Sequence, residues 1–107
     1  MQEILKHILI IGLNDKDTLK QVLTIKQAKN IIIKNCLKVG YDGGTLSTVN
    51  GFYKMQSNNK ITIEKSIKLE LLFASDTKTK ILIDLIKKDL NQETVALQVE
   101  NITSDLI

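Results

Sequence analysis

Residues 51–73, GFYKMQSNNKITIEKSIKLELLF, carry the pattern of a long β-hairpin with a polar tip at residues 57–60. From Ile61 the alternation is regular. Ile61, Ile63, Ile67, Leu69, Leu71 and Phe73 share one side, interrupted by Lys65, while Thr62, Glu64, Ser66, Lys68 and Glu70 share the other. Successive side chains of a strand point to opposite faces, so this pattern fits a strand with one buried face. Upstream, residues 3–13 place Ile8 and Ile10 on one side and Leu5, Leu9 and Ile11 on the other. A strand apolar on both sides belongs in the middle of a sheet.

Helical periodicity flanks the hairpin. Thr24 with Gln27 forms a capping-box pattern, and Ile25, Ala28, Ile32, Cys36 and Val39 then recur at three- and four-residue steps until Gly40. That predicts a helix over residues 25–39, ended by a left-handed glycine. Ser75-Asp76-Thr77 starts a second helix over 77–90, with Leu82, Leu85, Ile86 and Leu90 as its stripe beside Ile81. Strands are predicted at 45–56 and 60–73, with a bulge at Gly51, and at 94–102, where Val95, Leu97 and Val99 point inward. Residues 18–23 read as an extra turn packing Leu19 and Val22, and residues 103–107 as a loose tail. The order is βαββαβ. Right-handed crossovers then give a ferredoxin-like α+β plait, an antiparallel sheet of order 4-1-3-2 with two helices on one face. The expected core comprises Ile32, Cys36, Leu69, Leu71, Leu82, Ile86 and Val99.

The 107 residues suit a single domain with its core at about 3–102, and no apolar run approaches the roughly 20 residues of a membrane span. The apolar start lacks a small-residue cleavage site and serves better as a strand, so the expected location is the cytoplasm. The net charge is +3, and all 15 basic residues are lysine. The absence of arginine counts against bidentate reading of guanine, which is mainly arginine work. Lys26, Lys29 and Lys34 form a row on the first helix that Lys87 and Lys88 extend, which leaves non-specific nucleic-acid binding as the alternative function. Cys36 is the only cysteine and His7 the only histidine, which excludes an intramolecular disulfide and a zinc site of soft ligands within one chain. Asp42-Gly43-Gly44 lacks phosphate-loop spacing and leads into a strand. No cofactor motif is present, and no cofactor or metal is expected.

Four short pieces occur in a suggestive order: Gly12-Leu13 ending the first strand, Gly51-Phe52-Tyr53, Glu64-Lys65-Ser66, and Gln92-Glu93-Thr94-Val95 leading into the last strand. In this the chain resembles a family of uncharacterised small bacterial βαββαβ proteins, catalogued as a domain of unknown function. At fold level it is similar to PII-like signalling proteins and dimeric α+β barrel proteins. Where the family has an Asp-Gly turn this chain has Asn58-Asn59, a pair that also tolerates positive φ. The resemblance implies a fold and not an activity.

Tyr53, Glu64, Ser66, Gln92 and Glu93 are the candidate surface for a small ligand or a protein partner at a subunit boundary. Each also has a plainer role: Glu64 and Ser66 on an exposed strand face, Tyr53 covering a hairpin edge, and Gln92-Glu93 satisfying a helix-to-strand turn. The leading expectation is a non-enzymatic homo-oligomer, a dimer before a trimer. A barrel-type enzyme, pairing His7 with Asp15, Asp17 or Glu64, is the remaining reading, though no catalytic triad or paired-carboxylate spacing supports it.

Overall fold

The computed structural model describes residues 2–107. Its elements are β1 (Gln2–Gly12), α1 (Ile25–Val39), β2 (Thr45–Lys54), β3 (Ile61–Leu72), α2 (Asp76–Asp89) and β4 (Ala96–Ser104). One antiparallel sheet runs β2-β3-β1-β4, so β1 and β3 are central and the expected plait is confirmed.

The helices begin and end where local chemistry requires. The Thr24 hydroxyl accepts from the Gln27 N–H at 3.1 Å and the Gln27 side chain accepts from the Thr24 N–H at 2.9 Å, a complete capping box. Gly40 takes φ +99°, and its N–H and that of Tyr41 close the last turn onto Leu37 and Cys36 carbonyls. Ser75 caps α2 by accepting from the Lys78 N–H at 3.3 Å.

Between helices and sheet, Leu9, Ile11, Ile67, Leu69 and Leu71 meet Ile32, Leu82 and Ile86, all essentially inaccessible to water. Cross-strand pairs Leu9–Leu69 and Ile11–Ile67 place these side chains on the same face. Three elements also share a buried polar chain. His7 Nδ1 lies 2.7 Å from the Thr79 hydroxyl, which lies 2.7 Å from the Tyr41 hydroxyl, and Tyr41 also accepts from the Ser75 N–H at 2.9 Å. His7 Nε2 sits 3.1 Å from a carboxylate oxygen of the exposed Asp76, misaligned for a hydrogen bond.

Several expectations are corrected. Val99 and Leu97 do share the face of His7 and Leu9, but β4 is an edge strand beyond the helices and both remain half exposed, Val99 at 52%. β4 starts at Ala96 rather than 94 and continues to Ser104, because Gln2, Glu3 and Ile4 offer partners to what was expected to be the tail. Gly51 is not a bulge: β2–β3 pairing runs without a break through Asn50–Lys65, Gly51–Glu64 and Phe52–Ile63. Leu19 and Val22 do not pack inward and are 53% and 64% exposed. At the hairpin tip Asn59 alone of the asparagine pair adopts positive φ, +57°.

The hairpin outruns the helices. Phe52, Ile61 and Ile63 lie on the helix-side face yet are 60–78% exposed. On the opposite face the aliphatic strip of β1 is covered within the chain: Ile4 and Ile8 are buried, flanked by Lys6, Lys68 and Glu70, which are linked by ion pairs of 3.4 and 3.6 Å.

Truncating a core residue should therefore cost far more than truncating its edge-strand neighbour. Leu69→Ala is expected to lose about 2–5 kcal/mol in urea unfolding, whereas Val99→Ala should lose under about 1 kcal/mol.

Candidate functional site

Glu64 stands on the open face of the sheet near the end of the β3–β1 ladder. Register puts Gly51 of β2 directly across from it, and Gly12 of β1 across from Ser66 two residues on. The missing side chain at Gly12 makes room for the carboxylate, since a Cβ there would lie 2.6 Å from its oxygens. The carboxylate bends over the bare backbone of β1, where Oε2 accepts the Asn14 N–H at 2.8 Å. No lysine pairs with it within 4.0 Å among the described residues. Ser66, buried to 3% exposure against its expected exposed position, lies beneath the shallow strip beside Gly51.

Around Glu64 opens a groove of about 560 Å³. Ile10 and Ala96, a cross-strand pair, lie along its sheet side, with Phe52 and Tyr53 from β2 and Asn14 and Leu19 from the β1–α1 loop also lining it. The loop is held by the α2–β4 turn. The Gln92 amide donates to the Asn14 carbonyl at 2.8 Å and to the Leu90 carbonyl at 3.3 Å. The Asn91 amide donates to carboxylate oxygens of Asp15 at 2.7 Å and Asp17 at 2.9 Å, and the Lys16 N–H returns to the Asn91 carbonyl at 3.0 Å. These bonds, the Asn91 amide foremost and then the Thr18 N–H, hold the Asp15 carboxyl below its ordinary value of 3.8. The contribution of this latch is present above that value and is lost as pH falls through the lowered one.

Tyr53, Glu64, Ser66, Gln92 and Glu93 thus line one groove. Their roles differ. Both donor hydrogens of buried Gln92 go to backbone carbonyls, the turn-satisfying role, while Glu93 is exposed and Tyr53 is 38% exposed. Lys26, Lys29 and Lys34 lie on α1, away from the groove. The pairing of His7 with Asp15, Asp17 or Glu64 is overturned: His7 faces the helices, and its side-chain neighbours are Thr79 and Asp76. Sequence reasoning missed Gly12, Asn14, Leu19 and Asn91. Gly12 carried a signal, being an unforced glycine in a run that otherwise reads as strand. No group of three potential metal-ligating side chains occurs among the described residues, and no helix there is long and apolar enough to cross a membrane.

No protein-family model matches the chain, and no curated protein matches it. Solved structures do. A phage SAM lyase in complex with S-methyl-5'-thioadenosine superposes with a TM-score of 0.67 at 20% identity, covering 94% of this chain and 89% of that one. The ATP complex of GlnK from B. subtilis, a PII-like protein, gives 0.53 at 15% identity, covering 92% and 84%. A protein of the DUF3240 family from Shewanella baltica gives 0.55 at 9% identity, covering 100% and 98%. The chain shares its fold with PII-like proteins and with an uncharacterised family of the same plait, as its sequence implied. At these identities the likeness is one of fold.

Cys36 lies outside the groove, and burial raises its thiol from 9.0 to about 11. At pH 8 this lowers the thiolate fraction about a hundredfold, so native protein should react with a disulfide reagent on the order of 100-fold more slowly than urea-unfolded protein. Because the folded value is the higher one, the stabilisation from the neutral thiol is complete below pH 9 and declines as pH rises through about 11, readable as a falling unfolding midpoint.

Proposed function

We propose that the protein is a homo-oligomeric binding module whose groove takes a small ligand with a cationic or hydrogen-donating end and an apolar or aromatic body. The observation that carries this is the Glu64 carboxylate, bent over Gly12 and fixed by the Asn14 N–H without a cationic partner among the described residues. A carboxylate so placed attracts positive charge, and the bond from Asn14 orients it before any ligand arrives. Tyr53, on the same face of the sheet as Glu64, offers ring surface on one side, as ligand grooves combine apolar walls with a few placed polar groups. The names of two structural neighbours, a SAM lyase holding S-methyl-5'-thioadenosine and GlnK holding ATP, support adenosyl compounds as the first probes.

Self-association is part of the proposal, a dimer before a trimer. Its basis is the overhanging hairpin, with Phe52, Ile61 and Ile63 exposed at a free sheet edge, since Ile4 and Ile8 on the open face are already buried. A neighbouring copy docked there would border the groove through Phe52 and Tyr53.

Isothermal titration with S-adenosylmethionine, S-methyl-5'-thioadenosine and ATP tests the reading. Wild-type protein should bind the sulfonium compound, and Glu64→Gln should weaken that binding by about 10- to 100-fold, the loss of a charge-assisted contact. The uncharged thioether should lose far less. Absence of binding to all three, or equal losses for both sulfur compounds, sinks the proposed role of the carboxylate. Breakdown of S-adenosylmethionine during titration would replace the binding module with an enzyme. Light scattering at micromolar concentration should give a multiple of the chain mass, and Phe52→Lys with Ile63→Lys should return it to the monomer.

A further inference from the structure

Resting on that reading of the groove, we infer that Leu19 is its specificity-determining side chain, an apolar contact for the body of the ligand whose polar end meets Glu64. Four non-glycine residues among those described adopt positive φ: Leu19, Asn59, Phe73 and Asn91. Asparagine enters that region readily, but a leucine does so against the contact between its Cβ and the following carbonyl. Leu19 has φ +60° and is 53% exposed, so it is backbone-strained and leaves half its surface in water. Of the two strained hydrophobic residues it alone lines the groove that holds Glu64. No packing accounts for it.

The strain is held by what surrounds it. The Leu19 N–H donates to the Asp15 carbonyl at 2.7 Å, and the Asp15 N–H is bonded to the Lys20 carbonyl at 2.8 Å. The Asp15 carboxylate accepts the N–H groups of Asp17 and Thr18, both at 3.0 Å, and Asn91 ties this turn to the far side of the chain. A turn determined from so many directions can maintain an unfavourable conformation at one member, and such outliers gather at ligand clamps. Here the turn presents an isobutyl group to the groove, with Phe52 and Tyr53 among its other lining residues. The ligand class is accordingly an amphiphilic cation, with charge for Glu64 and nonpolar surface for Leu19.

Leu19→Gly removes the side chain and relieves the backbone, while Leu19→Asn keeps a side chain that tolerates positive φ but is polar. Binding of S-adenosylmethionine is measured by titration for wild type and both variants, with thermal unfolding alongside. Expected is an affinity loss of about tenfold in both, with thermal midpoints within about 2 °C of wild type or higher. Wild-type affinity in both variants overturns the role of Leu19 and leaves the groove reading intact. Loss in Leu19→Gly alone also overturns it, since loosening of the turn then explains the effect. A wild-type protein that binds none of the adenosyl probes overturns the groove reading itself and this inference with it.

Discussion

The pairing of β3 against β1 is the constraint on which the rest depends. With period-2 side chains, a slip of one residue would turn Ile67, Leu69 and Leu71 to the open face and bring Ser66, Lys68 and Glu70 beneath the helices. The cost of stranding those charges in the core enforces one register. That register also sets Gly12 beside the Glu64 carboxylate. Core burial and groove geometry are therefore consequences of one alignment, and the apolar side of β3 specifies where its polar side must present an acid.

A second level of order comes from side-chain amides. Gln92 and Asn91 lie side by side in the α2–β4 turn and bind different parts of the β1–α1 loop, one by a backbone carbonyl and the other by two carboxylates. Both spans cross more than seventy residues of sequence. A loop that emerges from a central strand is in this way fixed relative to the groove with no more regular structure of its own than the isolated Asn14–Gln21 bridge. At the other end of the domain's core, the chain from Tyr41 through Thr79 to His7 ties a helix-to-strand loop, α2 and β1 together, and satisfies hydroxyls that burial would otherwise strand.

Much of this was legible because local signals agreed with the fold. The Thr24–Gln27 box, Gly40 and the alternation after Ile61 each act within a few residues, and each appears where its chemistry indicated. Lys65 was the sign that went unused: it breaks the inner stripe where the helix layer ends, with Ile67 buried below it and Ile63 exposed above it. Val99 misled because alternation reports the face of a sheet and not whether a helix covers that part of it. The five candidate residues overlap the pieces that carry the resemblance, but the reason they line one groove lies in cross-strand register and in Gly12, which no single-strand pattern displays. Leu19 was unreadable for a related reason, since its positive φ is imposed by Asp15 and by Asn91 rather than by its own neighbours' propensities.

The overhanging hairpin gives the molecule its length, 49 Å against 25 and 22 Å in the other directions. Its outer pairs, from Phe52–Ile63 to Lys54–Ile61, have the ladder of a sheet but no second layer above them. Opening there breaks hydrogen bonds without uncovering a core, so its free energy is set by the ladder alone. Backbone amides should consequently exchange with solvent in a gradient along one and the same strand, quickly near Ile61 and only through global unfolding near Leu69. The strand buried under the helices at its base thereby stands uncovered at its end, where it can adapt to another surface without disturbing the fold that carries it.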